Sequence, residues 1–212
     1  MHANLFPVPI FRIDLCHTID GSGKRRLLCP TDISNQGGET GDVDLRVVPS
    51  WAPLGAARFR ELVESKFYDD QRFFRVLDGM YDIWIAQFGI SGDPAVQQGW
   101  ESKGGIQDDP TRHSNTRGTL SYATSGPNTR TTQLFLNFGD SSKVLDRDFA
   151  PFAEVISGMD VVDTIYKIGE GAPSGKGPSQ GQINRRGNEY LDSEYPQLTK
   201  IISARVVEKS EL

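Results

Sequence analysis

The chain has 212 residues, a length that suits one domain. It carries 23 Lys and Arg residues against 28 Asp and Glu, a net charge of −5, so it has no basic excess with which to bind nucleic acid or an anionic membrane, and we expect neither as a partner. The 22 Gly and 12 Pro residues favour many turns, and therefore β-structure with long loops over a helical bundle.

The sequence contains no recognisable membrane or export segment. Its longest Pro-rich apolar stretch, residues 5–11, is much shorter than the about 20 residues of a membrane span, and no basic residues precede it as they would in a signal peptide. We therefore expect a cytosolic protein. The two cysteines, Cys16 and Cys29, do not make a disulfide framework; one bridge between them remains open, but two reduced thiols are favoured.

Taken in chain order, alternating apolar and polar residues predict a strand over 9–17 and a second over 42–48. Residues 18–41 are rich in Gly, Ser, Thr and Asp and show no sustained period, which predicts a mobile loop insertion between the two strands. A helix follows over about 51–65, with Ser50 as its N-cap and Pro53 in its first turn.

The remaining elements are short strands, two helices and a glycine-proline loop, with no element assigned between 88 and 118. The predicted strands are 73–77, 84–88, 119–123, 133–138, 152–156 and 200–207. The predicted helices are 159–168 and 181–194, and the loop between them covers 169–181. Because strands and helices do not alternate, the pattern predicts a single mainly β domain over 1–212, built as an antiparallel sheet or a closed barrel.

Motifs for several other chemistries are incomplete. Residues 21–24 lack the first Gly and the final hydroxyl residue of a phosphate-binding loop, and the His residues have no metal-ligand spacing. Residues 89–92 fall short of the elbow that presents a nucleophilic serine. The pair Asp108 and Asp109 is interpreted as a solvated turn, with a carboxylate dyad as the alternative.

Three polar residues stand inside apolar strands: Arg75 in FFRV, Gln87 in IAQFG and Gln133 in TTQLF. Buried polar groups need hydrogen-bond partners, so three of them on facing strands suggest one shared network. The alternative for Arg75 is an arginine that extends from an edge strand into water.

The segments FFRV, AQFG, SGPNTRTTQLF, FAPFAEV and GMDVVD resemble, in order and spacing, the cyclophilin family of peptidyl-prolyl cis-trans isomerases over about residues 41–207. The resemblance implies a closed eight-stranded antiparallel β-barrel capped by two α-helices, to which the predicted helix 181–194 is an addition. It also implies an isomerase that acts on X–Pro bonds of proteins and assists their folding, as a monomer without a cofactor or metal. The alternatives are a proline-binding module with weak activity and, with less support, an unrelated β-barrel hydrolase.

The resemblance also implies roles for individual residues. Arg75 falls on the catalytic arginine, Gln87 on the glutamine that supports it, and Gln133 on a second active-site glutamine. The residues implied to bind the proline ring, the substrate backbone and the rim are Phe135, Trp84, Ile85, Ala123, Thr124, Leu145 and Phe149.

Two features depart from the family pattern. The spacing from Arg75 to Gln87 is about four residues longer, and the extra residues, 80–83, are predicted to form a bulge or a short loop that splits this strand pair. Val144 stands where the family has a tryptophan.

Overall fold

The computed structural model describes residues 9–18 and 38–207, and all nine strands of this part of the chain join one antiparallel sheet. The strands are β1 Ile10–Thr18, β2 Gly38–Val47, β3 Gln71–Arg72, β4 Arg75–Met80, β5 Ile83–Phe88, β6 Thr119–Tyr122, β7 Leu134–Asn137, β8 Pro151–Ser157 and β9 Lys200–Val207. Their order across the sheet is β3-β9-β1-β2-β8-β6-β7-β5-β4. The eight strand predictions are confirmed, with shifts of a few residues at their ends, and β3 is an additional two-residue strand that the sequence did not predict.

The sheet closes on itself because one continuous segment, residues 71–80, pairs with β9 on one side and with β5 on the other. β3 pairs with β9, and β4, which follows almost directly, pairs with β5. Between these strands Phe73 donates its N–H to the carbonyl of Thr199 (3.1 Å), and Phe74 donates to the carbonyl of Gln87 (3.1 Å). Residues 71–80 thus act as one strand that completes the ring, which makes the eight-stranded antiparallel barrel that the resemblance implied.

Hydrophobic side chains fill the barrel interior, with aromatic rings at its centre. Phe59 and Phe152 are fully buried, and the Phe59 ring lies 5.0 Å from the ring of Phe11 and 5.2 Å from that of Phe152. Phe59 belongs to the first helix, so this helix packs against the barrel by inserting aromatic surface into the core.

Six helices lie in the described residues, and none is long and apolar enough to cross a membrane. They are α1 Pro53–Glu64, α2 Pro94–Glu101, α3 Ser142–Leu145, α4 Met159–Asp163, α5 Gln180–Arg186 and α6 Asn188–Glu194. The second predicted capping helix, 159–168, therefore ends at Asp163. Beyond it the chain bonds to the barrel instead: Tyr166 donates its N–H to Thr199 Oγ1 (3.0 Å), and Gly169 pairs with Val76.

The predicted N-cap of α1 is wrong. Ala52, not Ser50, precedes the helix, and its side chain makes no cap bond. The carboxylate of Asp109 instead accepts the N–H groups of Leu54 (3.1 Å) and Gly55 (2.9 Å). Asp109 is buried, so the interpretation of this aspartate as part of a solvated turn is also wrong.

The stretch between 88 and 118 contains α2, which the sequence analysis missed. Asp93 is its N-cap and accepts the N–H of Ala95 (2.8 Å), while Pro94 is its first residue. An Asp-Pro pair at the start of a helix is a known start signal, so local chemistry could have located α2.

The predicted C-terminal helix is two helices. Gly187 adopts φ +58° and ends α5, after which α6 begins at once. Both helices pack through Ile183, Tyr190 and Leu191 onto Phe74 of the barrel, in a small hydrophobic cluster of their own.

The predicted insertion is shorter than 18–41, because β2 begins at Gly38 and pairs with β1 from there on. The rest of that prediction, residues 19–37 with Cys29, lies outside the described residues. Cys16 is buried in β1.

The extra residues between Arg75 and Gln87 lengthen a hairpin and do not loop out of it. Arg75 lies directly opposite Gln87, and farther along Met80 lies opposite Ile83, with one bulge between Asp78 and Met80. The hairpin turns through Tyr81 and Asp82, both at positive φ (+61° and +58°). The prediction that residues 80–83 form a bulge or short loop that splits the strand pair is therefore wrong. The one bulge falls at Gly79, and residues 80–83 are the paired end of the hairpin with its two-residue turn.

Candidate active site

A cleft of about 510 Å³ lies on the outer face of β5, β7 and the end of β6, beside the one-turn helix α3. Its apolar floor consists of Ile85, Phe135 and Leu145, which are buried and form, with Leu77, a cluster separate from the barrel interior. The ring of Phe149 stands edge-on to that of Phe135 at 5.3 Å and forms one wall. The floor and wall make an apolar slot within the cleft.

Arg75 and Gln87 place a charged and a polar group at one end of this slot. Because they are direct partners in the β4–β5 register, their side chains emerge on the same face of the sheet. Arg75 Nη1 donates to Gln87 Oε1 at 2.9 Å. The alternative interpretation of Arg75, a side chain extending into water, is wrong, since the side chain is only 24% exposed and its guanidinium is hydrogen-bonded within the cleft.

The hydrogen-bonded chain continues from Gln87 to Gln133. Gln87 Nε2 donates to Gln133 Oε1 at 2.8 Å. Gly89 allows the end of β5 to approach Gln133 closely. It adopts φ +105°, a conformation that favours glycine, and an added Cβ would stand 2.6 Å from the Cα of Gln133. The shared network of Arg75, Gln87 and Gln133 that the sequence predicted is present.

Two further residues, which the sequence analysis did not identify, extend this network at both ends. Glu170 binds Arg75 through two parallel bonds, from Nε to Oε1 at 2.6 Å and from Nη2 to Oε2 at 2.8 Å. Gln180, the first residue of α5, accepts a bond from Gln133 Nε2 at 3.2 Å. The hydrogen bonds from Arg75 hold the pKa of Glu170 below its usual range, despite partial burial that acts in the opposite direction.

The arginine retains donors for a ligand. A guanidinium has five N–H groups, and Arg75 uses one on each nitrogen for Gln87 and Glu170. One N–H on Nη1 and one on Nη2 have no acceptor in the part of the chain that the structure describes, and Arg75 lines the cleft. The site can therefore donate hydrogen bonds to a group held in the apolar slot.

Most of the residues predicted to bind substrate line the cleft. They are Ile85, Ala123, Thr124, Phe135, Leu145 and Phe149, together with the three polar residues of the network. Val144 lies at the rim and is 43% exposed.

Trp84 is the exception, because it lies on the other face of β5. Neighbouring residues of a strand point to opposite faces, so Ile83, Ile85 and Gln87 face the cleft while Trp84 packs against the barrel core. The assignment of Trp84 to the substrate-binding set is therefore withdrawn, and Ile83 takes a place in the cleft wall instead.

Comparisons with known proteins give a consistent result. A family model described as cyclophilin type peptidyl-prolyl cis-trans isomerase/CLD matches residues 31–188. The chain is 32% identical to peptidyl-prolyl cis-trans isomerase-like 3 of Dictyostelium discoideum over 133 residues, which cover 60% of this chain and 78% of that protein. It is also 32% identical to peptidyl-prolyl cis-trans isomerase B of Escherichia coli over 149 residues, which cover 62% of this chain and 82% of that protein.

Proposed function

Since the chain belongs to the cyclophilin-type peptidyl-prolyl cis-trans isomerase family, which acts on proline-containing peptides and proteins, we propose that Arg75 is the residue that lowers the barrier to X–Pro rotation. The observation that carries this proposal is the position of its guanidinium. It lies at the end of an apolar slot, held by Gln87 and Glu170, with donors left over.

The reaction needs no covalent step, proton transfer or metal. Rotation about a peptide bond has a barrier of about 18–20 kcal/mol because amide resonance must be broken. In the twisted transition state the prolyl nitrogen regains its lone pair and becomes a hydrogen-bond acceptor. A donor aimed at that nitrogen therefore binds the transition state more strongly than the planar ground state, which is the condition for catalysis.

The other groups of the cleft fit the binding of the substrate around this nitrogen. Phe135, Leu145 and Ile85 supply apolar surface for the proline ring, so that one side of the bond is anchored while the other turns. Ala123 and Thr124 follow the end of β6 and line the cleft, where their backbone can bond to the substrate chain. Gln133 can bond to the same chain while it keeps Gln87 in position.

The test compares the wild type with Arg75→Ala and Arg75→Lys in the isomerisation of a proline peptide. We expect Arg75→Ala to lose most of kcat/KM while remaining folded, and Arg75→Lys to be poor as well, since an ammonium lacks the planar fork that bonds to Gln87 and Glu170 together. Arg46→Ala is the matched control, because Arg46 forms a surface ion pair with Glu154, away from the cleft.

Two results would contradict the proposal. Near wild-type turnover by Arg75→Ala would remove the arginine from the mechanism. A wild type that binds the peptide but leaves its exchange rate at the uncatalysed level would instead identify a proline-binding module.

A further inference from the structure

One loop holds both ends of the polar network in the cleft. The side chains run in the order Glu170, Arg75, Gln87, Gln133, Gln180, each bonded to the next at 2.6–3.2 Å. The three inner residues come from the barrel, whereas Glu170 and Gln180 belong to the loop that follows α4 and to the first turn of α5.

The loop between Glu170 and Gln180 is itself fixed by backbone bonds. Gly169 exchanges two hydrogen bonds with Val76, the neighbour of Arg75, at 3.0 and 3.1 Å. Farther on, Gly177 donates to the carbonyl of Glu170 (2.8 Å), and Ser179 donates to the hydroxyl of Tyr190 (3.2 Å). Because α5 and α6 pack on Phe74, next to Arg75 in sequence, the loop is anchored to the strand that carries the arginine.

The carboxylate of Glu170 is held in one orientation. Besides its two bonds to Arg75 it accepts the N–H of Gly171 at 2.9 Å, and its side chain is 22% exposed. Bonds to Nε and Nη2 of one guanidinium fix both the position and the plane of that group. The remaining N–H groups of Arg75 therefore have a defined direction before substrate arrives.

Glu170 has two opposite effects on a catalytic arginine. It reduces the positive charge that a substrate experiences, and it orients the guanidinium. The acceptor in the transition state is a neutral lone pair, so a loss of charge weakens the bond only modestly. Misplacement by about 1 Å, in contrast, can lower a rate by up to about 100-fold. Orientation is therefore the larger effect.

We propose that Glu170 is a positioning residue that orients Arg75 toward the prolyl nitrogen, and that Gln180 fixes the opposite end of the same network. This inference rests on the catalytic role proposed for Arg75. It makes the segment 169–180 a part of the active site, although no residue of it other than Gln180 lines the cleft.

The test is a double-mutant cycle between positions 170 and 75, with kcat and KM measured separately on a proline peptide. We expect Glu170→Ala to lower kcat about tenfold with little change in KM, and Glu170→Gln, which keeps one acceptor, to lower it less. In the Arg75→Ala background the Glu170→Ala change should have no further effect, because Glu170 acts only through Arg75. Gln180→Ala should lower the rate less than Glu170→Ala.

Two comparisons separate orientation from charge and from stability. Glu170→Asp keeps the charge but is one carbon shorter, so it should lose activity nearly as Glu170→Ala does. Glu189→Ala, a change of an exposed carboxylate in the neighbouring α6, is the matched control and should leave both constants unchanged.

The outcomes distinguish this inference from the proposed function. Full activity of Arg75→Ala would overturn the catalytic role of the arginine itself. An impaired Arg75→Ala beside a fully active or faster Glu170→Ala would overturn only the positioning role. Equal losses caused by Glu170→Ala with and without Arg75 would also overturn it, since they would indicate a general structural effect.

Discussion

Asp109 and Arg130 form a buried ion pair, with Asp109 Oδ2 3.1 Å from Arg130 Nη1. The side chains are 2% and 5% exposed, and the same carboxylate accepts the first free N–H groups of α1. The pair therefore ties the start of α1 to the segment 129–133, whose alternate residues line the cleft.

Removal of this carboxylate should destabilise the fold strongly. Asp109→Ala removes one of the two carboxylates that pair with the buried Arg130 guanidinium, leaving Asp108, and it removes the acceptor of two helix N–H groups. We therefore expect a loss of about 2–4 kcal/mol in the free energy of unfolding. Denaturant unfolding measures it. The control is Glu154→Ala, which breaks the partly exposed pair with Arg46 and should cost at most about 1 kcal/mol. Equal effects of the two changes would contradict the role given to Asp109.

Phe135 should matter for both stability and substrate affinity. It is 2% exposed in the floor of the cleft. Phe135→Ala should therefore raise KM for a proline peptide and cost less than the about 3–5 kcal/mol typical of a Phe→Ala change in a closed core, because the space opens into the cleft.

Leu136→Ala provides the matched control for this experiment. Leu136 is the next residue of β7 and packs in the barrel interior. Its change should lower stability but leave KM of the folded enzyme unchanged. If Phe135→Ala also leaves KM unchanged, Phe135 belongs only to the packing of the protein.

Tyr81 occupies a strained position at the tip of the β4–β5 hairpin. It adopts φ +61° and is 76% exposed, so little packing compensates for the unfavourable backbone conformation. Tyr81→Asn should raise the free energy of unfolding by up to about 1 kcal/mol, because asparagine tolerates this conformation, and Tyr81→Val should lower it. Thermal unfolding measures both changes. A lower Tm for the asparagine variant would indicate that the tyrosine ring makes a stabilising contact.

The ion pair of Glu170 with Arg75 should make part of the stability depend on pH. The pKa of Glu170 is held below its usual value, about 4.3 in an unfolded chain, by the bonds from Arg75. Its stabilisation is therefore fully present above that value and is lost as the pH falls through the lower pKa of the folded state. The stability difference between the wild type and Glu170→Gln should be constant from pH 6 to 8 and shrink in acid.

Asp163 offers a comparison for this measurement. Its pKa is likewise lowered, by hydrogen bonds from Arg117, at a surface site away from the cleft. The stability difference between the wild type and Asp163→Asn should also shrink in acid, and kcat should be the same in the two proteins. A stability difference for Glu170→Gln that grows in acid would contradict the assigned direction.

Local signals in the sequence were sufficient to predict the strands and the polar network of the cleft. Strand alternation left an antiparallel sheet or a closed barrel as alternatives, and the resemblance to the cyclophilin family implied the barrel. The network has a local signal because a polar residue inside an apolar strand, as at Arg75 and Gln87, needs a partner. The position of Trp84 could also have been predicted from the sequence. Trp84 lies three residues before Gln87, and residues an odd number of positions apart point to opposite faces of a strand.

The functional residues that the sequence did not reveal make their contacts with residues far away in the chain. Glu170 lies in a glycine-proline loop without a period, and only the pairing of Gly169 with Val76 brings it to Arg75. Asp109 reaches the start of α1 from 54 positions further along the chain, so no local capping pattern reveals it. Such contacts depend on the closed barrel and have no signature in a short window of sequence.

The two faces of β5 allow substrate selectivity to be varied without a change in the barrel core. Along β5 the odd-numbered positions Ile83, Ile85 and Gln87 line the cleft, while Trp84, Ala86 and Phe88 pack in or against the barrel core. A combinatorial library at Ile83 and Ile85, which keeps Gln87 and the rest of the polar network, would sample new peptide preferences on the same scaffold. The same diversity at Ala86 and Phe88 would mainly yield unfolded chains, although the two sets of residues alternate along one strand.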